Sequence, residues 1–131
     1  MLRRDDTADF VSFVYGDCVA HDEQGCAPPL EIQVWPACKR NLALYDSSAQ
    51  VSAAPEAPVP EPATVRGVQA AFFRDDDRLE LQTGRSTVVV FGGSRSRVLE
   101  VAAALRPVGT SASTTPLPAP SPGAVAGTLS C

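Results

Sequence analysis

No apolar stretch long enough to cross a bilayer as a helix, about 18 residues or more, occurs in the sequence, so no transmembrane segment is expected in this chain. Positive charge is scarce: 11 lysines and arginines face 15 aspartates and glutamates, for a formal net charge of -4 and a pI near 4.8. The resulting field opposes nucleic acid and anionic surfaces, which argues against a polyanion-binding role for the chain as a whole. Histidine is nearly absent. His21 stands alone and in no G-x-S-x-G setting, so histidine-dependent catalysis would hang on one residue. The phosphate-cradling patterns G-x-x-x-x-G-K-[ST] and G-x-G-x-x-G are also missing. The opening Met1-Leu2-Arg3-Arg4-Asp5-Asp6 has the basic residues that begin an export signal but not the apolar stretch that must follow. Two localisations stay open: cytoplasmic, or envelope or extracellular if Met1 lies inside a longer reading frame.

Proline is abundant, and its distribution divides the 131 residues. Of 12 prolines, Pro55, Pro58, Pro60 and Pro62 share one segment, and Pro107, Pro116, Pro118, Pro120 and Pro122 follow the last helical pattern. Neither cluster suits the interior of a sheet or helix, because proline lacks the amide donor and fixes φ. Residues 1–8 read as a flexible N-terminus and 9–46 as a strand, a cysteine loop, a second strand and a short helix. Residues 47–63 read as a Pro- and Ala-rich linker and 64–106 as a three-stranded meander with a helix. Residues 107–131 carry no charge and read as a disordered tail. The foldable part is then about 80 residues, near the size at which one core alone is only marginally stabilising.

The elements follow from periodicity and turn chemistry. Asp9 to Tyr15 is dense in β-branched and aromatic residues and ends at a Gly16-Asp17 turn, which predicts a strand. Leu30, Ile32 and Val34 alternate with Glu31, Gln33 and Trp35, the pattern of a half-buried strand. Pro36 suits a first helical turn, so a short helix is expected over Pro36 to Tyr45. Further strands are expected at Val68 to Phe73, Leu79 to Thr83 and Thr87 to Phe91, the last apolar on both faces and therefore central. Asp75-Asp76-Asp77 suits the hairpin between the first two of these. Ser94 is the expected N-cap of a helix to Arg106, with Val98, Val101, Ala102 and Leu105 as its inward stripe.

Candidate chemistry gathers between Phe10 and Cys38. Cys18, His21, Cys26 and Cys38 form a C-x2-H-x4-C-x11-C series, and Cys3His is a tetrahedral zinc set. The competing reading is a disulfide drawn from Cys18, Cys26 and Cys38, worth about 2 to 4 kcal/mol. Cys131, at the end of the proline-rich tail, is expected to stay apart from the other three. The favoured reading is the disulfide with no cofactor; zinc is the alternative. Gly93, Ser94, Arg95 and Arg97 lie between a strand and a helix, where free amides and the helix dipole attract anions. The plainer reading is a glycine turn before a capped helix with solvated arginines. Trp35, Tyr15 and Phe72 suit core filling or a contact surface.

Val65-Arg66-Gly67-Val68, followed by the aromatic Phe72-Phe73 and an acidic hairpin, resembles the V-x-G-[IV]-P-T strand of thioredoxins, with Gln69 in place of that family's cis-proline and no C-x-x-C after the first strand. No activity carries over. A broader resemblance rests on Tyr15-Gly16-Asp17-Cys18, on Gly25-Cys26-Ala27-Pro28-Pro29, on Trp35-Pro36-Ala37-Cys38 and on Val65 to Val68. These stretches are similar to uncharacterised proteins of high-GC Gram-positive bacteria. That resemblance implies a real folded domain and a longer parent with an envelope anchor ahead of Met1, and it supplies no activity.

The expected architecture is a small α+β domain with a mixed or antiparallel sheet of about five strands and two helices. The expected role is a non-catalytic binding or structural module of the cell envelope, pinned by a disulfide, with a protein partner possible. The rivals are a thiol- or zinc-dependent enzyme using Cys18, His21, Cys26 and Cys38, and a fragment of a larger exported protein.

Overall fold

The computed structural model describes residues 2–4, 9–16, 30–42, 60–73, 77–106 and 116–131. Seven strands precede one helix in chain order: β1 (Leu2–Arg4), β2 (Val11–Tyr15), β3 (Leu30–Pro36), β4 (Glu61–Val65), β5 (Val68–Phe73), β6 (Arg78–Thr83), β7 (Ser86–Phe91) and α1 (Arg95–Ala104). The strands form a single sheet in the order β1-β2-β3-β7-β6-β5-β4, antiparallel at every pairing. Two meanders, β1 to β3 and β4 to β7, therefore join along β3 and β7, where Ile32 faces Val90 and Val34 faces Val88. β7 is the central strand, as its two apolar faces predict.

Tight turns set the register. Val65 pairs with Val68 across Arg66 and Gly67, whose φ angles of 49° and 81° meet the type I′ requirement for positive φ at both central residues. Thr83 pairs with Ser86 across Gly84 and Arg85, with Gly84 at φ 54°. A side chain at either glycine would hold that backbone at a cost.

Alternation then sorts the side chains onto two faces. Leu79 and Leu81 join Val68, Ala70, Phe72, Val88 and Val90 on one face, where Val98 and Ala102 of α1 pack upon them. Ser94 caps this helix, its Oγ accepting from the Arg97 amide at 3.2 Å. The Arg66 guanidinium donates to the Ala102 and Leu105 carbonyls at 3.1 and 2.8 Å, closing the other end. The second face carries Glu80, Gln82, Thr87 and Val89, all fully buried.

The α+β class holds, with four corrections. Glu61–Val65 is a strand, although it contains Pro62: it lies at the sheet edge, where a missing amide is tolerated. Leu2–Arg4 also pairs, with β2. Pro36 ends β3 opposite Ser86, and its carbonyl accepts from the Lys39 and Arg40 amides, so the described part of the expected short helix is one turn. Residues 43–45 of the expected helix and 47–59 of the expected linker lie outside the described residues.

The fourth correction is the tail, expected to be disordered. Residues 116–131 run against the sheet: Leu117 joins the apolar core, and its amide donates to the Arg66 carbonyl at 3.0 Å. Thr83 Oγ1 donates to the Pro118 carbonyl at 2.6 Å, Gly84 N to Ala119 O at 3.2 Å, and Ser121 N to Gly84 O at 2.8 Å. Ala124 is fully buried below Gln82, whose Nε2 donates to its carbonyl at 3.2 Å. The tail thus starts on the apolar face, rounds the β6–β7 turn and finishes on the polar face. Proline fits this path because the tail mostly supplies carbonyl acceptors to donors of the sheet.

Candidate functional site

Cys38 is bonded to Cys131 across a sequence separation of 93, with α-carbons 5.3 Å apart. This corrects the expectation that Cys131 stays apart, and it takes Cys38 out of the pairings drawn from Cys18, Cys26 and Cys38. The physical reason is the tail's path, which delivers the last residue to the turn after β3, where Arg85 Nη2 also donates to the Ser130 carbonyl. A cystine sulfur offers no thiolate, so the bridged Cys38 is not available to the Cys3His set. Cys18, His21 and Cys26 lie outside the described residues. Among the described residues no group of three His, Cys, Asp or Glu side chains is placed to hold a metal.

At the strand-to-helix turn, Gly93 and Ser94 take the predicted turn and cap, but the two arginines face protein acceptors. Arg95 pairs with Glu61 and lies 4.0 Å from the centre of the Phe72 ring. Arg97 Nη1 reaches the Gly92 carbonyl at 3.5 Å. This geometry matches the plainer reading of a capped helix.

An apolar groove of about 1060 Å³ opens on the helix-bearing face. It exists because α1, ten residues long, packs chiefly over β4, β6 and β7 and covers β2 and β3 less. Leu30, Ile32 and Val34 of β3 are consequently only half-buried, and Tyr15 of β2 is 50% exposed. Ile32 and Val34 form the floor with Val88, while Val101 and Leu105 of the helix stand on one side and Leu117 and Pro118 of the tail on another. Among the described residues no acidic side chain lines the groove, and its charges are Arg85 and Arg106. Hydroxyls come from Tyr15, Thr83 and Ser86, the Thr83 proton being committed to Pro118.

The opposite face is built differently. Glu80, fully buried, accepts from Arg40 Nε at 2.6 Å and Arg40 Nη2 at 3.0 Å, with Arg78 Nε at 3.4 Å from its other side. Thr87 Oγ1 donates to the Arg40 carbonyl, which fixes the turn that carries this arginine. Ser12 and Gln33 both donate to Glu31 Oε1, at 2.7 and 2.9 Å, and Trp35 Nε1 donates to Gln33 Oε1 at 2.9 Å. Phe10 stacks on Trp35 at 4.2 Å, and Arg40 lies over the same ring. Trp35 is thus a packing residue, as read from the sequence. Glu80, Glu31 and Thr87 are paired within this network, whereas Gln82 Oε1 and Asn41 Oδ1 are buried without a hydrogen-bond partner among the described residues; a hollow of about 290 Å³ lies beside the Cys38–Cys131 bridge.

No family model, curated protein or solved structure matches the chain. No helix is long and apolar enough to cross a membrane among the described residues. The groove residues escaped sequence reasoning because they meet only through long-range packing. The one available signal was that Leu30, Ile32 and Val34 needed a covering partner.

Proposed function

We propose that this chain is a non-catalytic binding module of the cell envelope whose apolar groove is completed by a disulfide-fastened tail. The observation that carries the reading is the tail's double attachment: Leu117 and Pro118 wall the groove, and Cys131 is bonded to Cys38 at the far end of the same segment. Such a bond persists in oxidising compartments and is rare in the cytosol, which supports the envelope. The similarity of its cysteine-bearing stretches to proteins of high-GC Gram-positive bacteria fits the same placement. A concave, mostly apolar cavity with a few polar groups is the usual form of a small-molecule site. On the opposite face the buried Glu80 carboxylate is spent on Arg40 and Arg78, which favours scaffolding over catalysis there.

The test is to prepare the full chain under oxidising conditions, map the bridge by non-reducing peptide analysis, and titrate Nile red before and after reduction. The oxidised chain is expected to bind the dye at one site and the reduced chain several-fold more weakly. Absence of dye binding in both states, or stoichiometric zinc with a free Cys38 thiol, overturns the reading.

A further inference from the structure

The geometry points to a single-chain amphiphile with an anionic head, of the fatty carboxylate class, taken into the groove as a free monomer; this rests on the binding-module reading above. The argument begins with charge. The chain as a whole carries -4, yet among the described residues this groove is lined by two arginines and no carboxylate. Arg85 comes from the β6–β7 turn and Arg106 follows α1, so the cations are held by different elements around one cavity. Both arginines are exposed, Arg85 also donating through Nη2 to the Ser130 carbonyl at 3.2 Å, while Ile32, Val34 and Val101 are half-buried. This distribution combines an apolar body with a wet cationic rim. The carbonyls at the end of α1 would oppose an anion here through the helix dipole, but Arg66 covers those of Ala102 and Leu105. Tyr15 and Ser86 add hydroxyl groups to the lining of the same groove. A fatty carboxylate matches each part: its chain replaces water over β3 and the helix flank, and its head accepts charge-assisted hydrogen bonds. The negative field of the whole chain disfavours adsorption to an anionic bilayer, which selects the monomer over the membrane surface.

The experiment is calorimetric titration of the full oxidised chain with palmitate below its micellar concentration, compared with the uncharged cetyl alcohol. One palmitate per chain is expected, bound about tenfold or more tightly than the alcohol. The double variant R85A/R106A should erase that preference while retaining the alcohol's affinity. Ala104→Trp, a substitution at an exposed groove position, should weaken both ligands; circular dichroism and the intact bridge verify its fold. Equal affinity for palmitate and alcohol overturns the anionic head and leaves the binding module standing. Binding of neither overturns both. Association with phosphatidylglycerol vesicles but not with monomeric palmitate also overturns the proposal.

Discussion

The two faces of this sheet are covered to similar depth but held by different forces. Leu79 and Leu81 point to one face and Glu80 and Gln82 to the other, and all four are fully buried. On the apolar face the stabilisation is non-directional and scales with area, so partial coverage is tolerated and a groove remains where the helix ends. On the polar face each buried group needs a partner of fixed geometry, so Arg40, Arg78, Thr87 and the tail carbonyls must occupy set places. The apolar face can therefore admit a ligand, while the polar face holds the sheet to one shape.

Adjacent substitutions on β6 separate these contributions. Glu80→Ala leaves two arginines without their buried carboxylate and is expected to destabilise by about 3 to 5 kcal/mol in urea unfolding. Replacing Glu80, Arg40 and Arg78 together by leucine and methionine is expected to recover most of that loss. A triple variant as unstable as Glu80→Ala would mean that the polar face contributes more than mutual charge compensation. Leu81→Ala, one residue on and facing the other way, is expected to cost about 2 to 5 kcal/mol through lost burial and a residual cavity. Glu80 and Leu81 are chain neighbours that share no side-chain partner, so any coupling between the two losses reports a shared backbone shift of β6, measured by the double-mutant cycle.

The bridge joins the faces through the tail. Cys38→Ser with Cys131→Ser is expected to cost about 2 to 4 kcal/mol and to open residues 116–131 to limited proteolysis. A tail that stays protease-resistant without the bridge would show that Leu117, Ala124 and the Gly84 hydrogen bonds suffice to hold it. The smallest expected change is Ser94→Ala, about 1 kcal/mol from the lost cap of α1, with palmitate affinity unaltered because Ser94 lies outside the groove.

Five of the seven strands and the helix were legible because their patterns are local. Val88 and Val90, alternating with Thr87 and Val89, mark a strand wherever they are placed. β4 was hidden by Pro62, since only the finished sheet shows that this residue lies at an edge. Alternation in Leu79-Glu80-Leu81-Gln82 marks a strand but not what covers its polar side, to which Arg40 and the tail come from distant parts of the chain. The tail itself looked disordered by composition; a covalent tie at its end and acceptors along its length order it with little apolar burial. Cysteine pairing and the groove share the same limit, because both depend on which distant segments meet.

The most direct test of the divided sheet is methyl NMR of the oxidised chain titrated with palmitate. Methyl shifts are expected at Ile32, Val34, Val88, Val101 and Leu117, with Val89 and Ala124 on the other face unmoved. Shifts at Val89 and Ala124 with Val88 and Val101 silent would contradict the account.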